Sequence, residues 1–334
     1  MKEQARAPWP ALFFDGRTGG MIELLLCAAI WGASFVAQKL GAGHFGPFTI
    51  NCCRELLAAV FLFGCVRVRD RFARRVSGET GATRLQVGWN RDTLVGGALS
   101  GLLTFAAELV QQLGIERTMP GVAAFLTTNY VLIIPVFGLF LGRRAGLNVW
   151  VGVVLALAGT YLLSFSTCSL FTVPCSLDPG AALILLCAVF FAAQMMVVER
   201  FIRGCDMLRF SFLQVVVAGL VNLPFSFLPS EMARNSWEGF VQGVPAILFL
   251  GILSSGVAYS LQNRGQAKVP ASIAAIITSM EGVFATLFGW LVLGDRMTVR
   301  QQLGCACVLA AVLVSQLLSR RRGMRRPENA IIRT

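Results

Sequence analysis

Ten apolar stretches fill most of the chain, near 20–41, 47–66, 93–115, 121–141, 148–165, 179–200, 209–228, 244–262, 271–293 and 298–319. Each is close to the ~20 residues that a helix needs to cross the hydrocarbon core of a bilayer. In lipid, every backbone polar group must be satisfied within the segment, so consecutive stretches of this length fold as spanning helices. Proline or glycine stands at many of the junctions, at Pro47, Pro120, Gly121, Gly142, Pro179, Pro229, Pro245, Pro270 and Gly294. A proline in the first helical turn costs no hydrogen bond, so these residues punctuate the helices without breaking them. Composition closes the other routes. Apolar residues make up 56% of the 334, charged residues only 14%, and mean hydropathy is +0.69. A soluble domain carries about 25% charge, so soluble globular, disordered, coiled-coil and disulfide-stapled folds are all excluded. The expected fold is an all-α membrane protein of ten transmembrane helices.

A net charge of +12 invites a nucleic-acid partner, and the placement of the charge removes it. Basic residues cluster in Arg67–Arg75 and Arg320–Arg326, each directly after an apolar stretch, where they read as anchors on an anionic cytoplasmic leaflet. With the N-terminus inside, 23 Lys and Arg fall in cytoplasmic segments, five fall outside (Lys39, Arg117, Arg234, Arg296 and Arg300), and Arg54 lies within a span. The positive-inside rule therefore places both termini in the cytoplasm, for a multi-pass protein of the plasma (inner) membrane. Residues 1–19 read as a short cytoplasmic, interfacial lead-in. The first apolar stretch is too long for a cleaved signal peptide, and it carries Glu23, Gln38 and Lys39.

The chain repeats itself. Residues 101–128 align without gaps on 251–278, matching at Gly101/Gly251, Leu103/Leu253, Gln112/Gln262, Pro120/Pro270 and Thr128/Thr278. LLLCAAIWGAS (24–34) resembles LILLCAVFFAAQ (183–194), and FGLFLGRR (137–144) meets FGWLVLGDR (288–296). Two five-helix repeats follow, at 20–165 and 179–319, joined by an extracytoplasmic loop at 166–178 and trailed by a basic cytoplasmic tail at 320–334. An odd number of spans per repeat makes the second half enter from the opposite side. Such inverted repeats enclose a central cavity and characterise secondary transporters.

Polar residues recur at helical spacing on several spans: Trp31, Ser34 and Gln38; Thr104, Glu108 and Gln111; Thr127 to Tyr130; Ser255, Tyr259 and Gln262; Thr278, Ser279 and Glu281. Singly, each is ordinary interhelical glue; at similar depth on five spans they point to a shared hydrated cavity. A second, separate face of the first span, Ala29, Ala33, Ala37 and Gly41, is a small-residue ridge for close helix approach. The ionisable groups are more telling, because a charge in mid-bilayer costs at least about 2.5–3.5 kcal/mol and faces the bundle interior. Arg54, Glu55, Glu108 and Glu281 lie near the middles of their spans. Arg54 and Glu55 point about 100° apart on a helix, so they are not expected simply to neutralise each other. Either Glu108 or Glu281 titrates or meets a positive group on the substrate, or one of them is tied to Arg54. Glu23, Lys39, Glu199 and Arg200 sit near span ends and are expected to snorkel to water. The expected transport path is lined by Trp31, Ser34, Gln38, Arg54, Glu55, Thr104, Glu108, Asn129, Tyr130, Gln194, Tyr259 and Glu281.

Other chemistry finds no footing. The single histidine, His44, reads as a loop residue; no metal-ligand spacing, phosphate loop or nucleophile–base pair stands out, so no catalytic residue, metal or cofactor is expected. Cys168 and Cys175 share the outer loop, where an oxidising compartment would allow a local disulfide; the alternative is two free thiols.

CAAIWGASFVAQKLG, GPFTINCCRELLAA, LTFAAELVQQLGIERTMPGVAAFLTTNYVLIIPVFGLFLGRR and SIAAIITSMEGVFATLFGWLVLGDRMTVRQQLG occur in this order and spacing. They resemble the drug/metabolite transporter superfamily, in its ten-helix EamA-like branch, over roughly 20–320. The resemblance implies a basket-like bundle around a central cavity, with 121–165 and 271–319 packed as a scaffold. It also implies a cargo among amino acids, nucleotide-linked and vitamin-like metabolites, or drugs. The family's Trp-Gly matches Trp31 and Gly32, its second-span arginine Arg54, and its ninth-span glutamate Glu281. Departures are Glu55, where the family has an aromatic, Gly282 in place of a proline, and Leu293–Gly294–Asp295 in place of LGE. The expected function is a secondary transporter of a small polar or zwitterionic organic metabolite (an amino acid, nucleoside or vitamin-like compound) working by alternating access, with proton linkage open. A flippase for a lipid or lipid-linked headgroup is the alternative. The expected partners are a small-molecule substrate and membrane lipid, with the protein a monomer or homodimer.

Overall fold

The computed structural model describes residues 16–77, 89–140, 142, 147–164 and 178–323. The lead-in up to residue 15, Cys168 and Cys175, and the tail beyond 323 lie outside them. Among the described residues every regular element is helical. Ten helical passes follow in order: α1 (Gly16–Ala42), α2 (Pro47–Ser77), α3 (Arg91–Ile115), α4 (Pro120–Phe140), α5 (Leu147–Ser164), α6 (Pro179–Phe201), α7 (Met207–Phe225), α8 (Trp237–Lys268), α9 (Ala271–Leu293) and α10 (Val299–Gly323). Eight of the helices are long and apolar enough to cross a membrane, and Trp150–Leu163 within α5 is a shorter apolar helix. Helix α2 runs on through its arginine cluster to Ser77 instead of stopping near residue 66, with Arg67 lying over the Phe63 ring at 5.4 Å.

The molecule is apolar outside and polar inside. Val60, Phe140, Leu147, Val154 and Leu157 are each at least 65% exposed, while Arg54, Glu55, Glu108 and Glu281 are at most 3% exposed. Lipid as solvent imposes this inversion, because a charge facing hydrocarbon has no partner. The chain is a multi-pass membrane protein.

Helix pairing follows a pseudo-twofold. The α1 contacts with α8 and α9 are matched by α6 contacts with α3 and α4; α2 meets α7, α4 meets α9, and α5 meets α10 across the axis. At the α5–α10 crossing a Cβ on Gly159 would lie 2.8 Å from the Gly304 carbonyl, and one on Gly304 would lie 3.1 Å from the Gly159 carbonyl. Only glycine permits that approach from both sides. Polar contacts at the helix ends show that α1 runs antiparallel to α8 and parallel to α3. Glu23, early in α1, pairs with Arg264 (3.0 Å) and Lys268 (2.8 Å) at the end of α8, defining a near face. On the far face, Lys39 at the end of α1 donates to the carbonyls of Ile115, Glu116 and Thr118 at the end of α3, at 2.9–3.1 Å. Glu23 is therefore fully buried in a salt bridge and Lys39 closes a helix C-terminus; neither snorkels.

The close approach expected on the Ala29–Gly41 ridge occurs one residue round the helix. A Cβ on Gly32 would lie 2.3 Å from Phe284 Cβ and 3.0 Å from the Glu281 carbonyl, so α1 and α9 touch there backbone to backbone. Ala33 and Ala37 instead line an outer groove.

Candidate functional site

Two local irregularities build the centre. Helix α4 breaks between Thr127 and Tyr130, and α9 breaks between Thr278 and Glu281, at equivalent points of the repeat. The side chains cause the breaks by bonding back to the turn before them. Thr127 Oγ1 donates to Ala123 O (2.9 Å), Thr128 Oγ1 to Phe125 O (2.7 Å) and Asn129 Nδ2 to Leu126 O (2.8 Å); in α9, Thr278 Oγ1 donates to Ala274 O (3.0 Å) and Ser279 Oγ to Ile276 O (2.6 Å). Helix α8 carries a π-helical stretch, Phe249–Ala258. Its wide turns bring the consecutive Ser254 and Ser255 to one neighbour, Arg54.

Arg54 is the hub. Its Nη2 lies 3.1 Å from Glu108 Oε1 and its Nε 3.3 Å from Glu55 Oε1. It also donates to Ser255 Oγ (3.1 Å) and Ser254 Oγ (3.3 Å). Ser255 donates in turn to Glu55 Oε1, and Tyr259 donates to Glu108 Oε1 at 2.8 Å. Tyr259 stands edge-on to Trp31, ring centroids 5.3 Å apart, and Trp31 Nε1 reaches Ser254 O at 3.4 Å. Arg54 and Glu55 do pair, contrary to expectation: the long guanidinium folds back along its own helix, and a shared serine fixes the geometry. Of the two ties considered for Arg54, the structure has the one to Glu108.

Glu281 sits apart. Among the described residues it enters no ion pair, and its Oε1 is buried without a hydrogen-bond partner. Beside it, Tyr130 donates its hydroxyl to Thr278 Oγ1 at 3.0 Å.

A cavity of about 30 Å³ joins the two clusters, space for one or two waters. It is lined by Trp31, Ser34, Gln38, Arg54, Glu108, Tyr130, Tyr259 and Glu281, eight of the twelve expected residues. The other four are elsewhere. Glu55 lies behind Arg54 against Ser255. Thr104 accepts from Gln214 (3.0 Å) and Gln194 donates to Ser100 (3.2 Å), in a polar ladder tying α3 to α6 and α7. Asn129 bonds its own helix and accepts from Thr160 of α5 (3.3 Å). These four act as interhelical glue, because each finds its partners before it reaches the cavity. The expected path left out Gln111, Thr127 and Gln262, although the polar stripes contain them, as well as Phe35, Phe191 and Met195, which carry no polar signal, and Ser254, whose orientation depends on the π-helix.

Ion pairs and hydrogen bonds tie the helices together at both faces of the bundle. On the near face Arg69, Asp70, Asp206 and Arg209 interlock across the α2–α7 contact, with four N–O distances of 2.7–3.1 Å. Burial alone would raise the Asp206 carboxyl, but its bonds to Arg69 and to the Arg209 amide hold it below the usual aspartate range. On the far face Glu231 accepts from the Thr49 amide (2.9 Å) and hydroxyl (3.0 Å), and Arg234 pairs with Glu116 at 3.0 Å.

Known proteins share this architecture. The sequence profile of the EamA-like transporter family matches residues 18–165 and 178–317, one copy on each half. An uncharacterized transporter of Archaeoglobus fulgidus is 28% identical over 298 residues, covering 89% of this chain and 85% of its own. The uncharacterized inner membrane transporter YicL of Salmonella typhimurium is 26% identical over 312 residues, covering 91% and 97%. A WAT1-related chloroplastic protein of Arabidopsis thaliana is 25% identical over 287 residues, covering 84% and 66%. A solved crystal structure superposes with a TM-score of 0.62 over 92% of this chain and 99% of its own, at 19% identity, which shows the shared fold. Two matched repeats, their pseudo-twofold packing and the buried polar centre agree: the chain belongs to the EamA-like transporter family of the drug/metabolite transporter superfamily.

Proposed function

We propose that this protein is a secondary transporter moving a small polar or zwitterionic organic metabolite across the plasma membrane by alternating access, with both termini cytoplasmic and no catalytic step. The observation that carries the reading is the set of buried polar atoms left without partners around the cavity: Arg54 Nη1, Gln38 Oε1, Glu108 Oε2 and Glu281 Oε1. Buried polar groups are paired in finished protein interiors. One spare donor and three spare acceptors therefore describe an occupant that carries N–H or O–H groups and at least one acceptor oxygen. Trp31, Tyr259 and Phe191 supply apolar faces beside them. The 30 Å³ cavity is too small for such a molecule, so this conformation is closed and loading requires one face to open. Rigid halves rocking about a central site support that cycle.

A headgroup flippase keeps one specific point in its favour. An apolar groove of about 390 Å³ runs between α1, α8 and α9, lined by Ala33, Ala37, Phe249 and Phe288, with His44 and Gln242 at one end. Thermal-shift screening of the purified protein against amino acids, nucleosides and vitamins tests the choice, since a ligand of the native state raises its apparent stability by about 2.7 kcal/mol at one hundred times its Kd. The proposal expects stabilisation by an unacylated metabolite, lost in Glu108→Gln. Stabilisation by acylated compounds alone would assign the protein to lipid headgroups.

A further inference from the structure

We infer that Glu281 is the proton-binding site of this transporter and that Glu108, although it pairs with Arg54 at the cavity, is not. The inference rests on the transport reading and deepens it, because the sequence leaves the two glutamates equivalent as candidates. Their surroundings separate them. Glu108 Oε1 has the Arg54 guanidinium at 3.1 Å and the Tyr259 hydroxyl at 2.8 Å, so its negative charge is compensated in place. Glu55 shares the same guanidinium at 3.3 Å. Glu281 is as deeply buried, 3% exposed, and no lysine or arginine among the described residues pairs with it. An unpaired carboxylate taken out of water is far costlier than the neutral acid in the same place. In the closed conformation the proton therefore resides on Glu281, and it leaves when an opening cavity admits water to that carboxyl.

The groups facing Glu281 fit this assignment. Tyr130 of α4, Cys27 of α1 and Cys187 of α6 are its titratable neighbours, all neutral at ordinary pH and none able to supply a counter-charge. Across the cavity stand Glu108 of α3, Tyr259 of α8 and Arg54 of α2, the last engaged by two acids. Tyr130 stands beside the Glu281 carboxyl and donates its hydroxyl to Thr278 Oγ1 at 3.0 Å; it is a neutral hydrogen-bonding neighbour, not a counter-ion. Glu281 also opens the second segment of broken helix α9, and its carbonyl lies where α1 is closest, 3.0 Å from a Cβ built on Gly32. Gain or loss of the proton acts on the contact between α1 and α9. The first repeat has no such group: at the matching helix break in α4, Tyr130 opens the second segment where Glu281 does in α9.

The test reads the proton without needing the cargo. The full-length protein in lipid is titrated while infrared difference spectra follow the carbonyl stretch of protonated carboxyl groups. A band that titrates in the wild type and in Glu108→Gln, vanishes in Glu281→Gln and shifts in Glu281→Asp is the expected result. The aspartate variant guards against a folding defect in the glutamine one. The inference is overturned if the band is missing from the wild type, survives in Glu281→Gln or disappears in Glu108→Gln. Replacing potassium by sodium at fixed pH must leave the band unchanged, since its loss would make Glu281 a sodium site instead. A normal band in a protein that no metabolite stabilises would count against the transport reading and leave the proton site standing.

Discussion

Replacing Arg54 by methionine, which keeps much of the side-chain length and removes the charge, isolates what the central ion cluster contributes to stability. Glu55 and Glu108 are 0% and 1% exposed, and both lean on the one guanidinium. Removing one partner of a buried pair costs about 3–5 kcal/mol, because an uncompensated charge is left behind. At roughly 2 °C per kcal/mol for a chain of this size, Arg54→Met should lower the apparent melting temperature by about 6–10 °C. Glu108→Gln removes one of the two stranded acids, so the double mutant should recover part of the loss, with a coupling of about 1–3 kcal/mol. A thiol-reactive fluorophore is a suitable probe, since Cys27 and Cys187 are fully buried and react only when the bundle opens. All variants must be heated at one rate, because unfolding of such a protein is irreversible in practice. A drop below about 2 °C, or strictly additive effects in the cycle, would refute the buried ion cluster as drawn.

Two further outcomes follow from the packing and from the near face. Gly32→Ala puts a Cβ 2.3 Å from Phe284 Cβ, against an ordinary carbon separation of about 3.5–4.0 Å; forcing α1 and α9 apart should cost about 1–3 kcal/mol and impair transport, checked by the same melting assay and by uptake into proteoliposomes. Asp206→Asn should destabilise the protein by about 1–2 kcal/mol at neutral pH. The Asp206 carboxyl is held below its unfolded value, so its contribution is full above that value and fades as the pH falls through the lowered one. The wild-type advantage in melting temperature should therefore shrink below about pH 4, and an advantage that persists there would contradict the ion-pair account.

Much of the fold was legible in the residues, and less of the site. Eight of the twelve expected path residues face one cavity because they recur at helical spacing on spans of similar depth. The four that do not share one reason: a polar side chain looks the same in sequence whether it meets a cavity, a neighbouring helix or its own backbone. Asn129 caps the break in α4, Thr104 and Gln194 are spent on other helices, and Glu55 turns to Ser255. The π-helix in α8 rotates everything after it by an amount no 3.6-residue count anticipates, which is how Ser254 and Ser255 both come to Arg54.

By itself the sequence determined that the chain is helical, that it spans a bilayer, and that its two five-span halves are oppositely inserted. These follow from run length, residue spacing and parity, which are local or additive quantities that survive any rearrangement of neighbours. Only the tertiary structure decided which buried acids are compensated. That choice depends on where a guanidinium a few ångströms long can reach, on two broken helices and one widened turn, and these place Glu55 and Glu108 on Arg54 while leaving Glu281 without a counter-charge among the described residues.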